Sequence, residues 1–263
     1  MRPPREAQIP APEFPAGLEW LNAEAPRAGA LPRSRAMLLE FWDFARVNSL
    51  RTLPYLKRWH ERYRDHGLEL VGVHSPGYSF GRDLETVARA VDRLDIPYPV
   101  ALDPELAVWR LYGNKGWPGR YLFDRHNRLR FLHYGEGEYR ETELAIQEAL
   151  DEANPEELPE PLAPLRPEDA PGVLLEPQTA DVVLPGDRDR LELVRDWEDG
   201  EDWIEALDAG AAATVSYSAG GAWAVLSGAD VEPGVYETEG TVVAESPGLR
   251  LHGFQFTPAP PPG

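Results

Sequence analysis

The sequence predicts an α/β sandwich with a mixed sheet, followed by a second, smaller all-β domain of sandwich, jelly-roll-like form. Three observations carry this. Strand-length apolar runs alternate with segments of helical period up to about residue 150. Residues 151–171 (DEANPEELPEPLAPLRPEDAP) then hold seven carboxylates and six prolines with few large apolar side chains. Beyond them, short β-rich runs are separated by Gly, Pro and Asp turns. The domains are accordingly placed at 1–152 and 172–257, with a Pro/acid-rich linker at 153–171 and a disordered tail at 258–263. A linker of that composition is expected to be extended, because it has little to bury against its ordering entropy.

In the first domain, 36–41 (AMLLEF) reads as a strand. Residues 50–64 place Leu53, Leu56, Trp59 and Tyr63 at helical spacing. A strand at 68–73 follows, then a helix over 83–94 that Asp83 caps and that carries Leu84, Val87, Val91 and Leu94 on one face. Residues 98–102 form a short strand, and 104–112 a helix with proline in its first turn. Strands at 120–123 and 129–134 flank the turn Asp124-Arg125-His126-Asn127, and a helix over 139–153 closes the domain. The order β-α-β-α-β-α-β-β-α implies a sheet whose last two strands are antiparallel. In the second domain strands are expected at 181–184, 191–194, 213–217, 223–226, 234–238, 241–244 and 249–256. Residues 201–209 hint at its one helix.

The chain has 263 residues, a formal charge of -19 and no cysteine. Disulfides, thiolate metal sites, iron–sulfur clusters and cysteine nucleophiles are therefore excluded from it. Residues 1–150 balance 21 acidic against 21 basic side chains, while 151–263 hold 24 against 5. The negative field lies in the second half and repels phosphate backbones and anionic lipid, so neither nucleic acid nor membrane is expected as a partner. No apolar run reaches membrane-spanning length and the first residues do not form a leader, which makes a cytoplasmic protein the expectation.

Several segments carry a family resemblance together. The run MLLEFWDFA (37–45) is an apolar strand with an acid, Glu40, followed by the aromatic pair Phe41 and Trp42. Pro54 lies in the next helix. VGVHSP (71–76), YPVALD (98–103), YGNKGWPGRYLFD (112–124) and YGEGEY (134–139) follow in order. Over about 14–152 the chain resembles the thioredoxin-like redoxins of the TlpA type and the thioredoxin-like C-terminal module of DipZ proteins. The resemblance implies a three-layer α/β/α sandwich, a cis-proline loop at Trp117-Pro118, and a Cys-x-x-Cys six residues after the acid. That slot reads Arg46-Val47-Asn48-Ser49.

In the family a helix N-terminus lowers the pKa of the first cysteine and the second resolves the mixed disulfide. Arg46 offers no nucleophile, and the Ser49 hydroxyl ionises far too high. Neither dithiol exchange nor the peroxidatic reaction of the related peroxiredoxins can run. The expected site is thus a degenerate one, Arg46 and Ser49 with the retained neighbours Glu40, Trp42, Trp117 and Pro118, and with no catalytic residue, cofactor or metal. A cation at a helix N-terminus costs about 0.3–1 kcal/mol, so Arg46 should have an anion. Pairing with Glu40 is the preferred expectation; an external anion held by Arg46, Arg51 and free helix amides is the alternative.

Other residues are read as structural. His74 ends a strand beside the site, with no serine and acid spaced for a triad. His60, His66, His126, His133 and His252 show no ligand spacing. The glycines at 113–119 and 135–137 are turns rather than phosphate loops. The acidic run 196–202 (DWEDGED) lacks calcium-loop spacing. The second domain occupies the place of the carbohydrate-binding-like module of DipZ proteins, and GLRLHGFQFT resembles its closing strand. Trp197, Trp203, Trp223, Tyr217 and Tyr236 then form either a stacking platform for a glycan or core. The functional expectation is a redox-inactive binding or scaffold module, with a protein or peptide partner at the Arg46/Trp117/Pro118 face. The alternatives are an oxidoreductase working with a partner's thiol, and a carbohydrate-binding protein.

Overall fold

The computed structural model describes residues 1–4, 8–22, 35–151, 158–228 and 230–259. The expected linker residues 153–157 and tail residues 260–263 lie outside them. Two compact units are present: Met1–Asp43, Asn48–Pro76 and Arg82–Pro171 form the first, and Phe44–Val47, Gly77–Gly81 and Gly172–Gly263 the second.

The first unit contains β1 (Glu19–Leu21), β2 (Ala36–Trp42), α1 (Val47–Tyr63, whose first residue belongs to the second unit), β3 (Leu68–His74), α2 (Leu84–Arg93), β4 (Val100–Leu102), α3 (Ala107–Leu111), β5 (Gly119–Phe123), β6 (Leu129–Tyr134) and α4 (Tyr139–Asp151). Its sheet runs β1-β4-β3-β2-β5-β6. β2, β3 and β4 are parallel, β1 and β5 are antiparallel to their neighbours β4 and β2, and β6 is antiparallel to β5. Every residue of the central β2 is buried, as expected for a strand covered on both faces. Met37, Leu39 and Phe41 pack with Val71, Val73, Val108 and Tyr121 on one face, so alternation turns Leu38, Glu40 and Trp42 to the other. This is the expected three-layer α/β/α sandwich.

Three expectations for this unit change. β1 has no counterpart in the sequence reading, because three residues are too short to show a period; it is held by pairing Trp20 with Ala101. Pro104 lies ahead of α3 rather than in its first turn, since the Asp103 carboxylate accepts from the Val108 and Trp109 amides and the helix starts only there. Residues 158–171, expected as free linker, pack along α1 and α4. Leu162 N–H donates to Glu143, Leu165 N–H to the Tyr55 hydroxyl, and Gln147 to the Pro159 carbonyl. Proline fixes φ in advance, so ordering this stretch costs less than composition alone suggests.

The second unit is all β: β7 (Val182–Val183), β8 (Leu191–Val194), β9 (Trp197–Asp199), β10 (Ile204–Ala206), β11 (Ala212–Val215), β12 (Gly221–Gly228), β13 (Gly234–Thr238), β14 (Thr241–Val243) and β15 (Leu249–Thr257). One sheet has the order β13-β12-β15-β10-β9, with β7 also on β15, and the other the order β14-β11-β8. All pairings are antiparallel. The core between them includes Ile204, Ala206, Ala213, Leu251, Phe254 and Phe256. The helix hinted at 201–209 is absent: β10 forms a hairpin with β9, pairing Ala206 with Trp197. Ile204 and Ala206 both point inward, a period of two, which outweighs the helix-forming carboxylates around them.

Candidate functional site

Glu40 lies in the middle of β2 with no exposed surface. Antiparallel register sets Arg120 of β5 directly opposite, and the Arg120 Nε donates to Glu40 Oε2 at 3.0 Å. The same guanidinium donates to Thr142 and lies over the rings of Trp59 and Tyr139, 5.3 and 5.6 Å from their centres. Burial pushes the Glu40 carboxyl up, and the Arg120 charge offsets only part of that. The expected pairing of Glu40 with Arg46 therefore does not occur. A cross-strand neighbour inside the sheet meets the buried acid's need for a cation.

Within the second unit, Arg46 and its chain neighbours meet Tyr78 and Gln255. The Arg46 guanidinium sits 4.5 Å over the Tyr78 ring, and Tyr78 stacks on Phe80. Burial raises the Asp181 carboxyl, and the positive charge of Arg46 counters it. Gln255 of β15, 2% exposed, closes the backbone on both sides of Arg46. Its Oε1 accepts from Val47 N–H at 2.7 Å, its Nε2 donates to the Ala45 carbonyl at 2.7 Å, and Nε2 also reaches the Tyr78 hydroxyl at 3.3 Å. A primary amide matches one donor and one acceptor this way. No sequence signal links residue 255 to residues 45 and 47; only the fold brings them together.

The remaining expected residues belong to the first unit. Ser49, 1% exposed, accepts from the Asp43 N–H at 3.3 Å. Trp42 is buried, edge-on to His74 at 5.3 Å. Trp117-Pro118 is a cis peptide bond, as the resemblance implied. Pro118 is buried; Trp117 is half-buried, packs on Trp109 at 4.4 Å and donates its indole N–H to the Ser75 carbonyl. Arg51 does not serve an external anion, because Glu136 and Glu168 bind it at 2.7 and 2.9 Å. His74 is 1% exposed and lies 3.5 Å from Asp43.

Sequence reasoning missed one constellation. Ser227 Oγ is 2.7 Å from His252 Nε2, and His252 Nδ1 is 3.1 Å from Asp202 Oδ1. Asp202 also accepts from the Ser79 N–H at 2.6 Å and the Ser79 hydroxyl at 3.0 Å. Burial works to raise the Asp202 carboxyl, but His252 and Ser79 outweigh it and hold it below its ordinary value. These are the distances of an acyl-transfer triad. Yet Ser227 is 5% and His252 1% exposed, and Phe80, Tyr78 and Trp203 ring the imidazole. The set fastens the segment Gly77–Gly81 within the unit. Positions 202, 227 and 252 come from a turn and two strands, with no motif spacing to signal them.

Of the aromatic residues considered for a glycan platform, Trp197 is in the core and Tyr217 stacks on Phe256. Trp203, Trp223 and Tyr236 are more exposed. Among the described residues, no group of three His, Asp or Glu side chains is arranged to hold a metal, and no helix is long and apolar enough to cross a membrane.

No family model matches the chain. Protein DipZ of Mycobacterium tuberculosis is 35% identical over 172 residues, covering 64% of this chain and 25% of that protein. Thiol-disulfide oxidoreductase ResA of Halalkalibacterium halodurans is 26% identical over 139 residues, 53% of this chain and 73% of the relative. The crystal structure of the thioredoxin-like superfamily protein SPOA0173 superposes with a TM-score of 0.51 at 19% identity, over 58% of this chain and all of that one. The chain thus matches about a quarter of the length of DipZ.

Proposed function

We propose that this chain, which belongs to the thioredoxin-like redoxins of the DipZ and TlpA type, is a redox-inactive member that works as a binding or scaffold module. One observation carries the reading. Where the family places its first cysteine stands Arg46, stacked on Tyr78, with the flanking Ala45 carbonyl and Val47 amide both bound by Gln255. The Val47 amide, at the slot where the family holds a thiolate, here donates to the neutral amide oxygen of Gln255. Neither half of a thiol–disulfide exchange is present, since the chain has no cysteine.

The proposed partner site is the loop of Trp117, with Pro118 itself buried. Trp117 stays half-buried, an aromatic flank against which an extended protein or peptide segment can lie. Arg46, also expected at the partner face, lies over the Tyr78 ring.

The redox part is tested by insulin reduction with dithiothreitol, at substrate excess. The purified chain should leave the rate at its uncatalysed value, and turnover in proportion to the chain's concentration overturns the proposal. The binding part is tested in cells with a photo-crosslinking amino acid at Trp117. A discrete adduct is expected there and not at Leu174, which is 92% exposed and serves as control. Equal adducts at both positions, or none at either, refute a partner at this loop.

A further inference from the structure

The segment 158–171 (LPEPLAPLRPEDAP) has five prolines in fourteen residues and three carboxylates. It lies on α1 and α4 of the first unit, and the way it is held resembles the reading of a ligand more than the packing of a connection.

Side chains of the two helices bind its backbone. From α1, the Tyr55 hydroxyl accepts from Leu165 N–H at 2.7 Å and Arg62 donates to the Glu160 carbonyl. From α4, Glu143 accepts from Leu162 N–H at 2.9 Å and Gln147 donates to the Pro159 carbonyl at 2.7 Å. The floor is aromatic: Tyr55 and Tyr139 stack at 3.7 Å with 7° between their planes. Arg166 lies 6.0 and 5.8 Å above those rings. A void of about 20 Å³ lies among Tyr55, Tyr139, Leu162 and Pro164, while a wider one of about 580 Å³ opens at Arg62, His66 and the start of the segment.

The acidic end is read as well. Arg51 binds Glu168 at 2.9 Å, and the Tyr55 hydroxyl donates to Asp169 at 2.8 Å. Burial works to raise the Glu168 carboxyl, but the Arg51 hydrogen bond and the Arg166 charge outweigh it and leave it below the usual carboxylate value. Arg166 itself bridges Asp169 at 3.0 Å and Glu136 at 2.9 Å.

Aromatic-floored grooves with polar groups aimed at the backbone are how proline-rich peptides are recognised. The peptide is already extended, so little entropy is lost on docking. None of the contacts above depends on the segment being joined to this chain. We infer that the α1–α4 face is a receptor for a proline-rich acidic peptide of a partner protein, and that residues 158–171 occupy it in cis as a built-in competitor. Tethering gives the internal segment an effective concentration in the millimolar range. An external peptide therefore binds well only when the segment is displaced.

The test uses the full chain with 158–171 replaced by a Gly/Ser stretch of equal length, and a fluorescein-labelled peptide of sequence LPEPLAPLRPEDAP read by anisotropy. The replaced chain should bind the peptide at least tenfold more tightly than the intact chain does. A peptide lacking the carboxylates of Glu168 and Asp169 should bind about tenfold more weakly, and a scrambled one not at all. Should the replacement unfold the chain by circular dichroism, R166A/E168A in the otherwise intact chain loosens the segment without touching the groove, and the same comparison applies. The proposal is overturned if a folded variant shows no binding up to millimolar peptide, or binds native and scrambled peptides alike. It is also overturned if light scattering shows the intact chain as a dimer that the replacement abolishes, which assigns the groove to the segment of a second copy.

Discussion

The two units solve the problem of buried polar groups differently. In the first, Glu40 and Arg120 form an acid–guanidinium pair walled by Trp59 and Tyr139, with exposures of 0 and 1%. In the second, Ser227, His252 and Asp202 form a relay that begins in a neutral hydroxyl and ends in a carboxylate still 24% exposed. The first arrangement puts two ionisable groups where water cannot reach them, so the acid depends on the guanidinium beside it. The second is a hydrogen-bonded chain that meets solvent at its end. A defect should therefore be costly in the first and modest in the second.

The sharpest way to break this comparison is Arg120→Met. It strands a buried acid, and urea unfolding should show a loss of about 3–5 kcal/mol. Combining it with Glu40→Met should restore most of that, because two apolar side chains leave no charge unpaired. If the double variant is as unstable as the single, packing around Arg120 rather than charge sets the cost. Next comes Gln255→Ala. It removes the hydrogen bonds to the Ala45 carbonyl and the Val47 amide together, and we expect a loss of about 1–3 kcal/mol in the same measurement.

How much of this was legible in the sequence depends on the separation of the partners. The strands around Glu40 and Arg120 were readable from their apolar runs, and so was the cis-proline loop from its family pattern. Which residue faces Glu40 was not, because register between strands 80 positions apart is set by the folded sheet and leaves no local trace. Gln255 is 208 positions from Val47, and a lone glutamine in an apolar strand carries no signal of its own. The hairpin at 197–206 was obscured for another reason: three-residue strands rich in Asp and Glu look like a solvated helix until Ile204 and Ala206 are seen to share a face. Residues 158–171 misled through composition, since their partners are side chains of α1 and α4 that no local window includes.

Smaller effects sharpen the second half of the comparison. Ser227→Ala removes one hydrogen bond to a buried imidazole and should cost about 0.5–1.5 kcal/mol by chemical denaturation. A loss as large as that of Arg120→Met contradicts the relay picture. The smallest effect is in pH. The Asp202 carboxyl is held below its ordinary value in the folded chain, so it binds protons less readily there than when unfolded. Its stabilising contribution is complete above the unfolded value of about 3.9 and fades as pH falls through the folded one. Stability curves of the wild type and Asp202→Asn, measured from pH 7 to 3, should converge at the acid end. Parallel curves remove Asp202 from the relay.

β15 pairs with β7, β10 and β12, and its Gln255 reaches back to residues 45 and 47. A chain leaves the ribosome in order, so none of those partners can be completed until residue 257 has emerged. Contacts at such sequence distance make the search for the native pairing slow. The early segments of the second unit, 44–47 and 77–81, therefore wait for their partners while more than 170 further residues are made, and the time spent in that state sets their exposure to aggregation and to chaperones.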